Sequence, residues 1–357
     1  MNIEPVNVAI VGCGHIAAGY AEDLRRYPGL VLLGVTDLDP ARSRALAADF
    51  GCRSYRDSDA LLADPEVAVV VNLTSHRAHV RVTRSALEAG KHVFSEKPMA
   101  LRTAEARSLN TVATAGNLRL GAAPIVLLGE LAQTAWRMVR NGRLGTVRLA
   151  YAEVNWGRME RWHAAPQPFY DAGPLFDVGV YPLTLLTGII GPAVRVTASA
   201  TTLLKQRWTR DGQRFSVESP DFVVAVVELV DGTLVRLTTN FYVADPARQR
   251  GVELHGDEGS LWLSTWFAFG GRLEHSPLGE PYRDVPLIRT PQVTLPWAAG
   301  VEELARVAVE GGAHLTSGAH AAHVVEIVEA ALHSARSGTP VEVQSRFPRP
   351  QPLSWAA

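Results

Sequence analysis

"VNVAIVGCGHIAAGY", Val6 to Tyr20, joins an apolar run to a glycine-containing turn and a helical pattern. It begins as a short apolar, β-branched run ending at a glycine, which predicts a buried strand. Helical periodicity follows from about Ile16 to Tyr27, and Pro28-Gly29 stops it. Between the two lies Gly12-Cys13-Gly14-His15-Ile16-Ala17, placed where the strand turns into the helix. Gly12 permits the tight turn, Gly14 lets the backbone approach a pyrophosphate, and Ala17 is small enough to replace a third glycine at the helix–strand contact. Phosphates would rest on the helix N-terminus, where free N–H groups and the helix dipole favour negative charge. Gly12, Gly14, His15 and Ile16 are therefore expected cofactor-binding positions, with Cys13 and His15 serving through backbone atoms.

Outward from this turn the pattern repeats. "LVLLGVTD" is a second buried strand, ending at Asp37, 20 residues past Ala17. A carboxylate there accepts hydrogen bonds from an adenosine ribose and repels a 2′-phosphate, which favours NAD over NADP. Arg42, in the next helix, softens that preference. The bland alternative is that the glycines make a turn and Asp37 caps one. "DPARSRALAADFG" opens with an Asp cap and a proline and closes at glycine. "VAVVVNLT" is a strand, residues 76–89 a helix, "KHVFSE" a strand, and Thr103 to Ala115 a helix. Continuous apolar strands alternating with helices mean a parallel sheet covered on both faces, a doubly wound Rossmann domain expected over residues 1–122.

The second part, residues 123–357, reads differently. A helix from about Leu128 to Arg140 is followed by "AVRVTASATTL", in which Val194, Val196, Ala198 and Ala200 alternate with Arg195, Thr197, Ser199 and Thr201. That is an antiparallel strand with one buried face. "DFVVAVVELVDGTLVRLTTNFYV" reads as two strands joined at Asp231-Gly232, and "GVELHGDEGSLWL" as a second hairpin with a looser turn. Helices over about 297–310 and 317–337 precede a Pro-rich tail. The expectation is an α+β domain on a mostly antiparallel open sheet. A sheet with one uncovered face often pairs with another copy, so a homodimer or homotetramer is expected.

The totals narrow the function classes. The 357 residues carry a net charge of −1, which gives no electrostatic footprint for nucleic acid or an anionic membrane. The first apolar run, "VAIVG", is too short for a signal peptide or a membrane span. Two scattered cysteines make no disulfide framework, and a cytoplasmic location is expected. His314, His320 and His323 show no acidic partner at a metal-like spacing, so no metal site is expected.

Of 35 basic residues three are lysines, Lys91, Lys97 and Lys205, and Lys97 sits in "GKHVFSEKPMA" (residues 90–100), just after an apolar strand. Here the chain resembles the Gfo/Idh/MocA oxidoreductases. Three separated motifs carry the resemblance: "GCGHIA" with Asp37; "AHVRVTRSALEAGKHVFSEKPMA", similar to the family's AGKHV–EKP segment; and "DAGPLFDVGVYPLT", similar to GGGxLxDxGxHxxD. The resemblance implies that Glu96-Lys97-Pro98 edges the nicotinamide pocket, that Pro98 follows a cis bond, and that Lys97 touches cofactor and substrate. It also implies that Asp177 and the residue four later reach the substrate hydroxyl.

Physical chemistry agrees. Asp177, Tyr181 and Thr184 fall on one helical face. Oxidising a carbinol requires the hydroxyl proton to leave, so a positioned base is needed. A buried lysine beside a nicotinamide cation has its charged form disfavoured, whereas arginine stays protonated. Most of the family has His where this chain has Tyr181, as in the glucose–fructose oxidoreductase and dihydrodiol dehydrogenase branches. A tyrosine must fall well below its usual pKa of ~10 to act as base, and a nearby ammonium helps. Tyr181 is therefore the expected proton-transfer residue, Lys97 its electrostatic partner and hydroxyl anchor, and Asp177 the orienter; Lys97 as the base is the alternative. Asp171-Ala172 in place of two glycines, and Thr184 in place of Asp, alter the substrate pocket.

Thr74 and His79 flank the strand end nearest a nicotinamide ribose, with His79 equally readable as a packed helix residue. Trp162 and His163, in "WGRMERWHAAPQPFY", suit the apolar face and hydroxyls of a sugar, or simply pack. The sequence thus predicts an NAD-dependent dehydrogenase or reductase acting on a secondary hydroxyl or ketone of a sugar, cyclitol or related polyol. The alternatives are a glycosidase that oxidises its sugar transiently and recycles NAD, and a non-catalytic nucleotide-binding regulator.

Overall fold

The strand expected at the N-terminus forms as β1 (Val6–Val11), and the first half of the chain is built around it. The computed structural model describes residues 5–243, 247–291 and 295–357. After β1 come α1 (Ala17–Leu24), β2 (Leu30–Thr36), α2 (Pro40–Phe50), β3 (Arg53–Ser54), α3 (Ser58–Ala63), β4 (Val69–Asn72), α4 (His79–Glu88), β5 (His92–Ser95), α5 (Thr103–Ala115) and β6 (Leu120–Ala122). All six strands run parallel, in the order β3-β2-β1-β4-β5-β6. The winding reverses between β1 and β4, and the crevice at the carboxyl ends of those two strands is where such sheets bind ligands. Val8, Ile10, Val69, Val71 and Phe94 are fully buried in the core, which explains strands apolar on both faces. Local chemistry fixes the helices: the Asp39 side chain accepts from the Ala41 N–H, Pro40 opens α2, and Gly51 ends it at φ +67°.

The later elements are α6 (Glu130–Arg140), β7 (Val147–Asn155), α7 (Gln167–Pro174), a π-helical turn (Leu175–Gly179), α8 (Val180–Ile189), β8 (Ala193–Thr201), β9 (Gln206–Trp208) and β10 (Arg214–Ser216). They continue with β11 (Phe222–Leu229), β12 (Leu234–Asn240), β13 (Gly251–Gly256), β14 (Gly259–Leu263), β15 (Leu273–Pro277), β16 (Arg283–Asp284), α9 (Ala299–Glu310), α10 (Gly318–Ser337) and β17 (Val341–Glu342). Nine strands form one sheet in the order β16-β15-β14-β13-β7-β12-β11-β8-β17, and β9 pairs with β10 apart from it. Among the described residues, the β7–β12 pair is the only parallel one in this sheet. β8 alternates in burial along its length as its sequence predicts. The β13–β14 turn is tighter than expected, a two-residue Asp257-Glu258 turn: Gly256 pairs with Gly259, and a Cβ on Gly256 would lie 2.1 Å from the Leu144 carbonyl oxygen.

The chain divides into two compact units, Met1–Ile125 with Leu295–Ala322, and Val126–Thr294 with His323–Ala357. This is not the single cut after residue 122 expected from the sequence. Helix α9 returns to the first unit, where Ala298, Val301, Leu304 and Ala305 join the core around Phe94. Gly300 and Gly121 make the approach possible. A Cβ on Gly300 would stand 2.5 Å from the Phe94 ring, and one on Gly121 would stand 2.8 Å from Leu304 Cδ1. Helical periodicity announces a buried face but not the sheet it covers.

Candidate active site

The first unit presents a nucleotide-binding turn with the chemistry a dinucleotide requires. Gly12 has φ +100°, and a Cβ there would meet the Leu73 and Thr74 backbone at 2.8–2.9 Å, so glycine is obligatory between the first and fourth strands. Gly14 faces open space within 4 Å, which leaves its backbone accessible to a phosphate. His15 is exposed, Ile16 occupies the N-cap position of α1, and Ala17 is buried in the core. Asp37 Oδ2 accepts from the Cys13 N–H at 2.7 Å, and Oδ1 accepts from the Asp39 N–H at 2.8 Å. An ionised carboxylate has further lone pairs, so two ribose hydroxyls can still donate to it. Burial, then the Asp37 carboxylate, pushes the Cys13 thiol up to about 12, consistent with a purely backbone role. These residues fit a dinucleotide: Gly12, Gly14, His15 and Ile16 would hold the pyrophosphate and Asp37 the ribose.

A second corner is built after β4 and β5. Asn72, fully buried, ends β4 and organises it. Its Nδ2 donates to the His79 carbonyl and to Thr83 Oγ1, both at 3.0 Å; its Oδ1 accepts from Thr74 Oγ1 at 2.7 Å; its carbonyl accepts from the Glu96 N–H at 2.9 Å. The His79 ring is buried, with Nδ1 2.7 Å from the Pro98 carbonyl oxygen and Nε2 2.9 Å from that of Thr74. Burial holds its pKa below the usual histidine value, against the pull of the Pro98 carbonyl and the Glu96 carboxylate. Glu96 is buried too; Tyr20 Oη donates to its Oε1 at 2.8 Å, and the Lys97 N–H donates to its Oε2 at 2.9 Å. The Lys97–Pro98 bond is cis, and Lys97 is half-buried. Thus Thr74, His79, Glu96, Lys97 and Pro98 share one hydrogen-bonded corner. Asn72 and Tyr20 belong to it although the motifs did not mark them; the available signal was a polar residue closing an otherwise apolar strand.

In the second unit, Asp177, Tyr181 and Thr184 lie in Gln167–Ile189, two helical stretches joined by a kink. Its length and apolarity match a membrane span, yet 89% of the apolar window is buried inside the protein, so its hydropathy serves the core. Asp177 falls in the π-helical turn, a local widening that is frequent at functional sites. The run bends at Gly173, whose φ of +77° places this residue against the Pro220 carbonyl. Asp177 and Thr184 are buried and Tyr181 is half-buried. The Tyr181 ring stands edge-on to Trp266, with centroids 5.4 Å apart.

Trp162 and His163 form another aromatic group with Phe169, at centroid distances of 4.7–6.0 Å, and Trp162 is 46% exposed. Beneath this loop lies a buried ion cluster that the sequence did not reveal. The Arg207 side chain, wholly inaccessible, donates to Glu160 Oε1 at 2.8 Å and to Asp221 Oδ2 at 2.6 Å. It also covers the Tyr170 ring at 4.5 Å. Tyr170 Oη bonds to Glu160 Oε2, and burial followed by that bond pushes the phenol up. Nothing in local sequence tells one arginine among many that it will be buried.

Residues 6–123 match the oxidoreductase family with an NAD-binding Rossmann fold, and residues 132–262 match the GFO/IDH/MocA C-terminal domain. The chain is 26% identical over 357 residues to a D-apiose dehydrogenase of Paraburkholderia graminis, covering 94% of this chain and 89% of that protein. It is 31% identical over 284 residues to the dTDP-3,4-didehydro-2,6-dideoxy-alpha-D-glucose 3-reductase of Streptomyces violaceoruber, covering 77% of each. A solved levoglucosan dehydrogenase, in complex with NADH and L-sorbose, shares its fold at a TM-score of 0.81 and 18% identity, over 95% of this chain and 99% of that one. With both domain matches in chain order, a nucleotide turn that fits a dinucleotide, and a relative above 30% identity over most of its length, the chain belongs to the GFO/IDH/MocA family of NAD(P)-dependent oxidoreductases.

Proposed function

We propose that this chain is an NAD-dependent dehydrogenase or reductase acting on a secondary hydroxyl, or the matching ketone, of a sugar, cyclitol or related polyol. The observation that carries the reading is the placing of a buried carboxylate, Asp177, one turn before a half-buried phenol, Tyr181, across a π-helical turn. When bound, the nicotinamide supplies the hydride acceptor or donor. Tyr181 Oη takes or returns the hydroxyl proton, and Asp177 orients that hydroxyl. The Lys97 ammonium lowers the cost of the phenolate and anchors the same hydroxyl. Thr184, Trp162 and His163 complete the substrate contacts, and Glu96 and Pro98 fix the main chain around Lys97. Asp37, held to the glycine turn by its bond to Cys13, favours a ribose without a 2′-phosphate. Relatives named for apiose, a deoxyhexose nucleotide and levoglucosan support a sugar-like substrate.

The test is an absorbance screen at the reduced-cofactor band, with purified protein, NAD or NADP, and a panel of sugars, inositols and alditols. Reduced NAD appearing with at least one member supports the reading. Cleavage of an aryl glycoside without net reduced cofactor would transfer the protein to the NAD-recycling hydrolases. Cofactor binding with neither reaction would make it a regulator.

A further inference from the structure

Tyr181 is one member of a four-ring cluster assembled from three distant segments. Its ring meets Trp266 at 5.4 Å and 66°. Trp266 meets Trp156 at 5.5 Å and Phe267 at 4.9 Å, and Trp156 meets Phe267 edge-on at 5.7 Å and 83°. The burial within the cluster is uneven. Trp266 is 7% exposed, whereas Trp156, Phe267 and Tyr181 are each half-buried. Rings gathered solely to fill a core would all be covered; here one buried indole supports three that remain partly accessible.

The supports are firm. The Trp156 N–H donates to the Asn240 carbonyl at 3.3 Å, tying the end of β7 to the end of β12. Thr265 Oγ1 accepts from the Phe267 and Ala268 N–H groups at 3.3 and 3.4 Å, which closes a turn under the Trp266-Phe267 pair. Two residues on, the Phe269 carbonyl accepts from the Leu131 N–H at 2.9 Å, where Gly129, with no Cβ, lets Phe269 come close. An aromatic pair on a loop tied at both of these points presents a fixed surface rather than an adaptable one.

We infer that Trp156 and Phe267 form the platform that receives the C–H face of a closed-ring substrate beside Tyr181, and that Trp266 is a positioning residue for the Tyr181 ring. This inference rests on the oxidoreductase reading above and narrows it from polyols in general to rings. A pyranose or cyclitol gathers its axial C–H bonds on a flat face, and weakly positive hydrogens suit the negative face of an aromatic quadrupole. An open-chain polyol has hydroxyls on every side and must also freeze several rotors to lie flat, which costs conformational entropy. The same rings exclude water from one side of the phenol, leaving its hydroxyl as the polar group that addresses the substrate. Trp266 acts through Tyr181: its edge contact fixes the plane of the phenol, and with it the plane in which the hydroxyl hydrogen and lone pairs of Oη lie.

The experiment compares inositols, which cannot open, with alditols, which cannot close. Turnover is followed as reduced cofactor, and binding as quenching of tryptophan fluorescence in the protein–NADH complex. Wild-type protein should favour the rings by about tenfold or more in kcat/KM, the size of discrimination that apolar contacts supply. Trp156→Leu and Phe267→Leu should raise KM for inositols and remove the ring preference while kcat changes little. Trp266→Leu should instead lower kcat by about 10²-fold, the scale of a small misplacement of a catalytic group, and shift the pH profile. Trp266→Phe should restore much of the loss, which separates misplacement from misfolding. Equal turnover of rings and alditols by wild type, or a ring preference that survives both leucine variants, overturns the inference and leaves the oxidoreductase reading intact. Quenching by inositols that disappears in Trp156→Leu, without turnover of any panel member, upholds the platform and overturns the oxidoreductase reading. Neither quenching nor turnover overturns both.

Discussion

The corner around Lys97 and the helix around Tyr181 both carry candidate catalytic side chains, and they are held in opposite ways. At the corner the main chain does most of the holding. The Lys97 N–H is bonded by Glu96, the Pro98 and Thr74 carbonyls lie on the His79 ring, and the Asn72 carbonyl receives the Glu96 N–H. Along the helix, side chains hold side chains: Tyr181 rests on Trp266, 85 positions later in the sequence, and the turn before the helix is fixed through Glu160, Tyr170, Arg207 and Asp221. A site held by main chain survives as a contiguous motif. One held by packing is scattered and depends on every partner.

The largest effect should come from the chemistry itself. Tyr181→Phe should cut turnover by about 10²–10⁴-fold, the usual contribution of a positioned base, with cofactor affinity preserved in a fluorescence titration. If it turns over normally while Lys97→Arg is inactive, the main-chain-held lysine is the base and the roles of the two regions are exchanged. Next in size is the ion cluster. Arg207→Met leaves two carboxylates, one of them fully buried, without their cation, and should lower stability by about 3–5 kcal/mol in urea unfolding. A loss near zero would mean that the loop and helix are set by packing without the ions.

Acid should also strike the second unit through His323. Its ring accepts from the Ala193 N–H at Nε2, which requires the neutral form, and burial pushes its pKa down to about 4. The unfolded chain therefore takes up a proton first. Stability is complete above about pH 6.5 and falls by of order 3 kcal/mol as pH drops towards 4. Melting temperatures across that range should fall less steeply in His323→Gln than in wild type.

Smaller effects sharpen the nucleotide turn. Gly12→Ala should cost at least ~1–3 kcal/mol of stability from its strained φ, and more from the Leu73 contact. Gly14→Ala, which meets nothing in the protein, should spare stability and weaken NAD binding, as read by calorimetry. The smallest expected change is for Asp37→Ala, about tenfold weaker NAD with a narrowed NAD-to-NADP ratio, the size of a hydrogen bond to a charged group. Unchanged selectivity there would return Asp37 to the role its Cys13 and Asp39 bonds already show, a brace for the turn.

Much of the fold was legible because its signals are local. The buried strands β1, β2, β4 and β5, the Asp39-Pro40 start of α2, the alternation of β8 and the Asp231-Gly232 hairpin all declare themselves within a few residues. β7 does not declare itself in this way: Arg148 and Glu153 break its apolar run, yet it pairs with both β12 and β13 in the middle of the sheet. α9 was visible as a helix but not as a member of the first unit, because its partners are the Phe94 ring and two glycines far away in sequence.

The same division runs through the site. Sequence alone marked the nucleotide turn, the acid at the end of β2, the EKP segment and the Asp177–Tyr181 spacing, since each is written over a handful of adjacent residues. Tertiary structure decided the widened turn at Asp177, the clamp of His79 on two carbonyls, the burial of Arg207 between two acids, and the choice of Trp266 to face Tyr181. Those outcomes depend on which surfaces meet when the sheet and helices close, and burial and electrostatic partnership are properties of that closure rather than of any short stretch of chain.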